Sequence, residues 1–146
     1  MRIWVDADAC PVKDEIDRLA AKRGIRVTHV CALTDMRRDG AEVVRVAEGP
    51  DAADEWILAQ LAPGDLVITQ DIPLAAESIR RGAIALEFRG RELTPDNIPD
   101  RLTARNVATT LRDAGAETRG PRPLTPNDRR NFTNALARIL DRAKTR

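Results

Sequence analysis

Short apolar runs that alternate with helix-like stretches constrain this chain most. Ile3-Trp-Val5 is such a run, and it stops at Asp6 and Asp8. Leu66-Val-Ile-Thr69 is another, and Asp71 follows it. Runs this short and this apolar suit central strands, buried on both faces. Between them the pattern turns helical. Pro11 suits a first helical turn, Asp14, Glu15 and Asp17 favour the helix dipole, and Ile16, Leu19 and Ala20 form one apolar stripe. Lys22, Arg23 and Gly24 end that helix. Residues 25–32 then read as a second strand. A β-α-β unit implies a parallel pair with a right-handed crossover.

The alternation continues down the chain. Residues 34–41 are polar and loop-like, and residues 42–47 read as a third strand. Asp51 or Asp54 opens a helix whose core face is Trp56, Ile57, Leu58 and Leu61, and Pro63-Gly64 stops it. Residues 66–69, 72–81 and 83–86 give strand, helix and strand. The order β-α-β-β-α-β-α-β predicts an α/β sheet covered by helices. After Leu86 the pattern changes. Phe88 to Leu93 reads as a tight turn or small hairpin, residues 101–114 as a helix, and residues 116–124 as an exposed loop. Thr125-Pro126 opens a final helix with Thr as N-cap, Pro at N1 and Asp128 at N3. At 146 residues, one domain over 1–146 is expected, with 101–146 a helical C-terminal extension packed on it.

Charge is unevenly divided. Residues 1–79 carry 9 Lys/Arg and 15 Asp/Glu, whereas residues 80–146 carry 15 and 8. An acidic half can hold cations and a basic half can meet a polyanion, or the two halves can neutralise each other. No apolar run approaches the length of a membrane helix. The first residues lack the pattern of a signal peptide, and only Cys10 and Cys31 are present, so a reduced, cytoplasmic chain is expected.

In open α/β sheets ligands bind beyond the carboxyl ends of strands. Asp6, Asp8 and Asp71 stand there, and they converge if the strands before them are neighbours. Crowded carboxylates need protons or a cation to coexist. Hard oxygen ligands suit Mg²⁺ or Mn²⁺. Glu15 on the first helix and Asp54 (or Asp51) on the second can add ligands. Asp14, Asp17 and Asp65 read as dipole, solvated or turn residues. His29, the only histidine, lies mid-strand and reads as structural, so a Ser/His/Asp triad has little basis. Ile16 stands where a cysteine phosphatase loop would need arginine, so Cys10 reads as packing. Zinc-finger spacing and glycine-rich nucleotide loops are absent. Arg89 and Arg91 follow the fifth strand and are the favoured phosphate contacts. Aromatic residues are scarce, so nucleic acid would be held through phosphates.

Ile3-Trp-Val-Asp-Ala-Asp-Ala-Cys-Pro11 and Gly64-Asp-Leu-Val-Ile-Thr-Gln-Asp-Ile-Pro-Leu-Ala75 resemble the motifs of the YaiI/YqxD family of bacterial proteins. Gly82-Ala83, Arg89-Gly90, Arg101-Leu-Thr-Ala-Arg105, Gly120-Pro121 and Asp128-Arg129 extend the likeness. That family is similar to the PIN-like nucleases. The resemblance implies a three-layer α/β/α sandwich with a mostly parallel central sheet. It implies that Asp6, Asp54 (or Asp51) and Asp71 match that superfamily's acids, with Glu15 a weaker match and Asp8 peculiar to the family's own motif. The expected function is metal-dependent phosphodiester hydrolysis on RNA or another phosphate-bearing substrate. Asp6, Asp8 and Asp71 are the expected catalytic residues, and Mg²⁺ or Mn²⁺ is the expected ion. Two alternatives stand beside it: a non-catalytic nucleic-acid or nucleotide binding module with a vestigial cation site, and a phosphohydrolase with an aspartate nucleophile.

Overall fold

The computed structural model describes residues 1–32, 37–47, 49, 51–103 and 123–144. Six strands form one sheet: β1 (Ile3–Asp6), β2 (Val27–Cys31), β3 (Glu42–Arg45), β4 (Leu66–Ile68), β5 (Ile84–Leu86) and β6 (Glu92–Leu93). Their order is β3-β2-β1-β4-β5-β6. All neighbours are parallel except β5 and β6, which pair as an antiparallel hairpin. The helices are α1 (Lys13–Lys22), α2 (Ala52–Gln60), α3 (Ile72–Arg80) and α4 (Pro126–Lys144). The expected mostly parallel α/β architecture is therefore the one found, with helices on both faces.

Strand alternation distributes the core between those faces. Ile3 and Val5 of β1, Leu66 and Ile68 of β4, and Leu86 of β5 pack with Ile16 and Leu19 of α1 and with Phe132, Leu136, Ile139 and Leu140 of α4. Trp4 and Val67 point the other way, onto Ile57 of α2 and Leu74 of α3. Trp4 meets Trp56 edge to face, with ring centroids 5.8 Å apart. Because α4 supplies five residues to the first layer, Ala135 among them, it closes one face of the sheet. The final helix starts as its sequence predicts. The Asp128 amide donates to Thr125 Oγ1 and the Thr125 amide to Asp128 Oδ2, both at 3.0 Å, a reciprocal capping box.

The structure refines several expectations. Strands β2 to β5 are shorter than the stretches expected for them, because ladder pairing ends before those stretches do; β3, expected over 42–47, stops at Arg45. Asp51 holds the N-cap position of α2 but its side chain caps nothing. The helix expected over 101–114 is seen only at its start, where residues 98–103 are helical; the rest of it, and the loop over 116–122, lie outside the described residues.

Asp65 sits in the expected turn, yet it is a buried structural carboxylate. It accepts from the Arg2 amide, the Trp4 indole Nε1 and the Ala62 amide, each at 3.0 Å. A buried indole N–H needs such a partner, and no periodicity reports which acidic residue supplies it. Asp17 is likewise more than a dipole partner. It accepts from the buried His29 Nε2 at 2.7 Å and from Arg38 Nε at 2.5 Å. This confirms a structural place for His29 and ties α1 to β2.

Gly90, in the β5–β6 turn, explains how α4 comes so near. Its φ is +95°, and a Cβ there would stand 2.6 Å from the backbone carbon and oxygen of Asn131. Gly24 has φ +64° with open space around it. Gly90→Ala should therefore cost about 3 kcal/mol or more in urea unfolding, against about 1 kcal/mol for Gly24→Ala, which carries only the backbone penalty. Equal costs at the two positions would show that α4 does not rest on this turn.

Candidate functional site

β1 and β4 are hydrogen-bonded neighbours, with Ile3 beside Leu66 and Val5 beside Ile68. From β1 the chain builds outward to β2 and β3 on one side; β4, β5 and β6 lie on the other. The reversal opens a crevice at the carboxyl ends of β1 and β4, the place where doubly wound sheets bind ligands. Asp6 ends β1, Asp8 follows it, and Asp71 is the N-cap of α3 directly after β4. Asp54 enters from the first turn of α2. These four aspartates, with Ala32, Gly49 and Ala53, line one pocket of about 360 Å³. No Lys or Arg is among those lining residues.

Each carboxylate is held by a different means. Asp6 Oδ2 accepts from Thr69 Oγ1 at 2.9 Å. The same Thr69 oxygen accepts from the Asp71 amide at 2.9 Å. One buried hydroxyl thus fixes the Asp6 side chain and the Asp71 backbone together. Asp71 Oδ1 caps α3 by accepting from the Leu74 amide at 3.1 Å. Both oxygens of Asp8 accept from the Ala32 amide, at 2.9 and 3.2 Å, so Asp8 fastens the loop after β1 to the end of β2. Thr69 escaped the sequence reading; its only signal is a hydroxyl at the end of an apolar run, two positions before an aspartate.

The crowding shows in the proton affinities. Burial raises Asp6 above the ordinary carboxylate range; the charges of Asp71 and Asp8 add to this, and the Thr69 hydrogen bond opposes it. Asp54 is pushed up to about 7, first by burial and then by its hydrogen bond to Asp71 and the charges of Asp71, Asp6 and Asp51. A hydrogen bond between two carboxyl groups requires a proton between them, and crowding against Asp71 raises the proton affinity of Asp54 accordingly.

Not every expected residue enters the pocket. Glu15 lies outside its lining and pairs with Arg129 of α4, Oε2 to Nη1, at 3.1 Å. Arg89 is bound to Asp128 at 2.6 Å, at the start of α4. Arg91 is exposed on the β5–β6 turn. Burial pushes the Cys10 thiol up to about 11, with Asp6 and Glu15 adding to the rise, which suits a packed thiol and not a nucleophile. The donor set is chemically right for a hard cation, being all carboxylate. As they stand, however, no three His, Cys, Asp or Glu side chains among the described residues are gathered closely enough to hold one.

The Asp54 shift has a sign that can be tested. Its folded-state pKa lies above the ordinary 3.8, so the folded protein binds more protons between those values. Stability from this group is full below the lower value and is lost as pH rises through the upper one. With chelator present, Asp54→Asn should be more stable than wild type by about 1 kcal/mol near pH 8 and match it near pH 4, the gain being discounted for partial solvation. The readout is urea unfolding at both pH values. An unchanged difference across the range would contradict the crowding.

Comparison with known proteins agrees with the motifs at β1 and β4. The family model described as "Uncharacterized BCR, YaiI/YqxD family" matches residues 4–142. A UPF0178 protein of Halorhodospira halophila is 48% identical over 147 residues, covering 97% of both chains. Another from Rhodopseudomonas palustris is 44% identical over 143 residues, covering 97% of this chain and 92% of its own. The UPF0178 protein VV1_1847 of Vibrio vulnificus is 44% identical over 148 residues, covering 99% of both. The chain belongs to the YaiI/YqxD family.

Proposed function

We propose that this protein is a metal-dependent phosphodiesterase acting on RNA, with Asp6, Asp8, Asp54 and Asp71 holding Mg²⁺ or Mn²⁺. One observation carries the reading: carboxylates from β1, the loop after it, α2 and the cap of α3 share one pocket that no basic side chain lines among the described residues. Such crowding is costly unless a proton or a cation relieves it. When bound, the ion would supply a water of lowered pKa and charge neutralisation for the phosphate.

The chain's own residues prepare for this. Thr69 keeps Asp6 turned toward the pocket and fixes the start of the loop that carries Asp71. Asp8 holds the pocket wall by its grip on Ala32. Asp54 is the adjustable member, because its hydrogen bond to Asp71 lasts only while it keeps its proton. Loss of that proton frees both carboxylates to close on a cation, so binding should strengthen with rising pH.

The test is incubation of purified protein with single-stranded and structured RNA in Mn²⁺. Wild type should cleave, and Asp6→Asn and Asp71→Asn should each lose about 100-fold or more. Mn²⁺ binding without cleavage of any RNA would favour a non-catalytic binding module. Covalent trapping of beryllofluoride on Asp6 would favour an aspartate-nucleophile phosphohydrolase.

A further inference from the structure

We propose that Arg129 is a phosphate-contacting residue of this site, presented by Glu15, and that it takes a phosphate flanking the scissile one. The inference rests on the hydrolase reading for its substrate but on separate geometry for its residue. Arg129 lies in the first turns of α4. Its Nη1 donates to the Pro11 carbonyl at 2.8 Å and to Glu15 at 3.1 Å. Pro11 belongs to the same loop, after β1, that carries Asp8. Pro11 comes three positions after Asp8, so the bond to its carbonyl places Arg129 against the segment that joins β1 to α1.

The way Arg129 is held distinguishes it from the other arginines at this end of the sheet. Both of its bonds use one nitrogen, and its side chain remains 44% exposed. Glu15, its anchor, is only 16% exposed. A guanidinium fixed at one corner with its remaining donors toward solvent is preorganised for a phosphate's paired oxygens. Arg89 is less available, being 24% exposed and tied to the buried Asp128. Arg38 is 19% exposed and gives its donors to Asp17 and Asp14. Among the described residues the acidic pocket is lined by no cation, and a polyanion is held better with one at its margin. Glu15, expected as a metal ligand, becomes on this account the residue that positions Arg129.

Binding of a fluorescent single-stranded oligoribonucleotide, measured by anisotropy across a salt series, tests the assignment independently of cleavage. Arg129→Ala should weaken binding roughly fivefold to tenfold. It should also flatten the plot of log affinity against log salt by about 0.7, the value of one phosphate contact on a single strand. Arg129→Lys should keep the slope and recover part of the affinity. Arg130→Ala, which removes an exposed neighbouring charge, should change the slope little. Thermal melts identify any variant that has lost its fold. Wild type that binds no oligoribonucleotide, or Arg129→Ala with unchanged affinity and slope, overturns the assignment. Binding that depends on Arg129 without any RNA cleavage upholds Arg129 as a phosphate contact but overturns both its place beside a scissile phosphate and the hydrolase reading.

Discussion

The pairing of β1 with β4 is the constraint on which the rest depends. Strand β4 is three residues long, and a polar residue at each end reaches across to β1. Before it, Asp65 accepts from the Arg2 amide and the Trp4 indole. After it, Thr69 donates to Asp6. The two residues pin the strands at both ends and fix their register, with Ile3 beside Leu66 and Val5 beside Ile68. A one-residue slip would turn Trp4 into the wrong layer and leave a buried carboxylate without its donors, which costs several kcal/mol. Everything else in the sheet is built outward from this pair.

That register is also what assembles the pocket. In a parallel pair both carboxyl ends face the same way, so residues that follow β1 and β4 meet at one edge. Asp6 and Asp71 meet there, linked through a single hydroxyl. Asp54 then arrives from α2 and must keep a proton to lie against Asp71. The arrangement works against stability near neutral pH, since it gathers like charge without a compensating cation among the described lining residues. Sites that carry such strain are where function concentrates, because stability is given up there for binding.

Much of this was legible in the sequence, and the reasons differ by level. The central strands were visible because buried parallel strands are short and largely apolar, as Leu66-Val-Ile is. The start of α4 was visible because Thr125, Pro126 and Asp128 are local signals acting on local amides. Asp6 and Asp71 were visible because each ends an apolar run. Long-range polar partnerships were not visible. Asp65 is separated from Trp4 by 61 positions and Glu15 from Arg129 by 114, and nothing periodic marks such pairs. For the same reason Arg89 read as a free phosphate contact, although it closes on Asp128 at 2.6 Å. Arg129, both of whose side-chain bonds use Nη1, was marked by no spacing either.

The central claim is that the four aspartates form a cation site governed by the proton on Asp54. Calorimetric titration of chelator-treated protein with Mn²⁺ tests it most directly. The account predicts one saturable binding event near pH 8, weaker near pH 5 where Asp54 holds its proton, with protons released on binding and the event lost in Asp6→Asn. Absence of Mn²⁺ and Mg²⁺ binding at both pH values, or binding indifferent to Asp6→Asn, would contradict it.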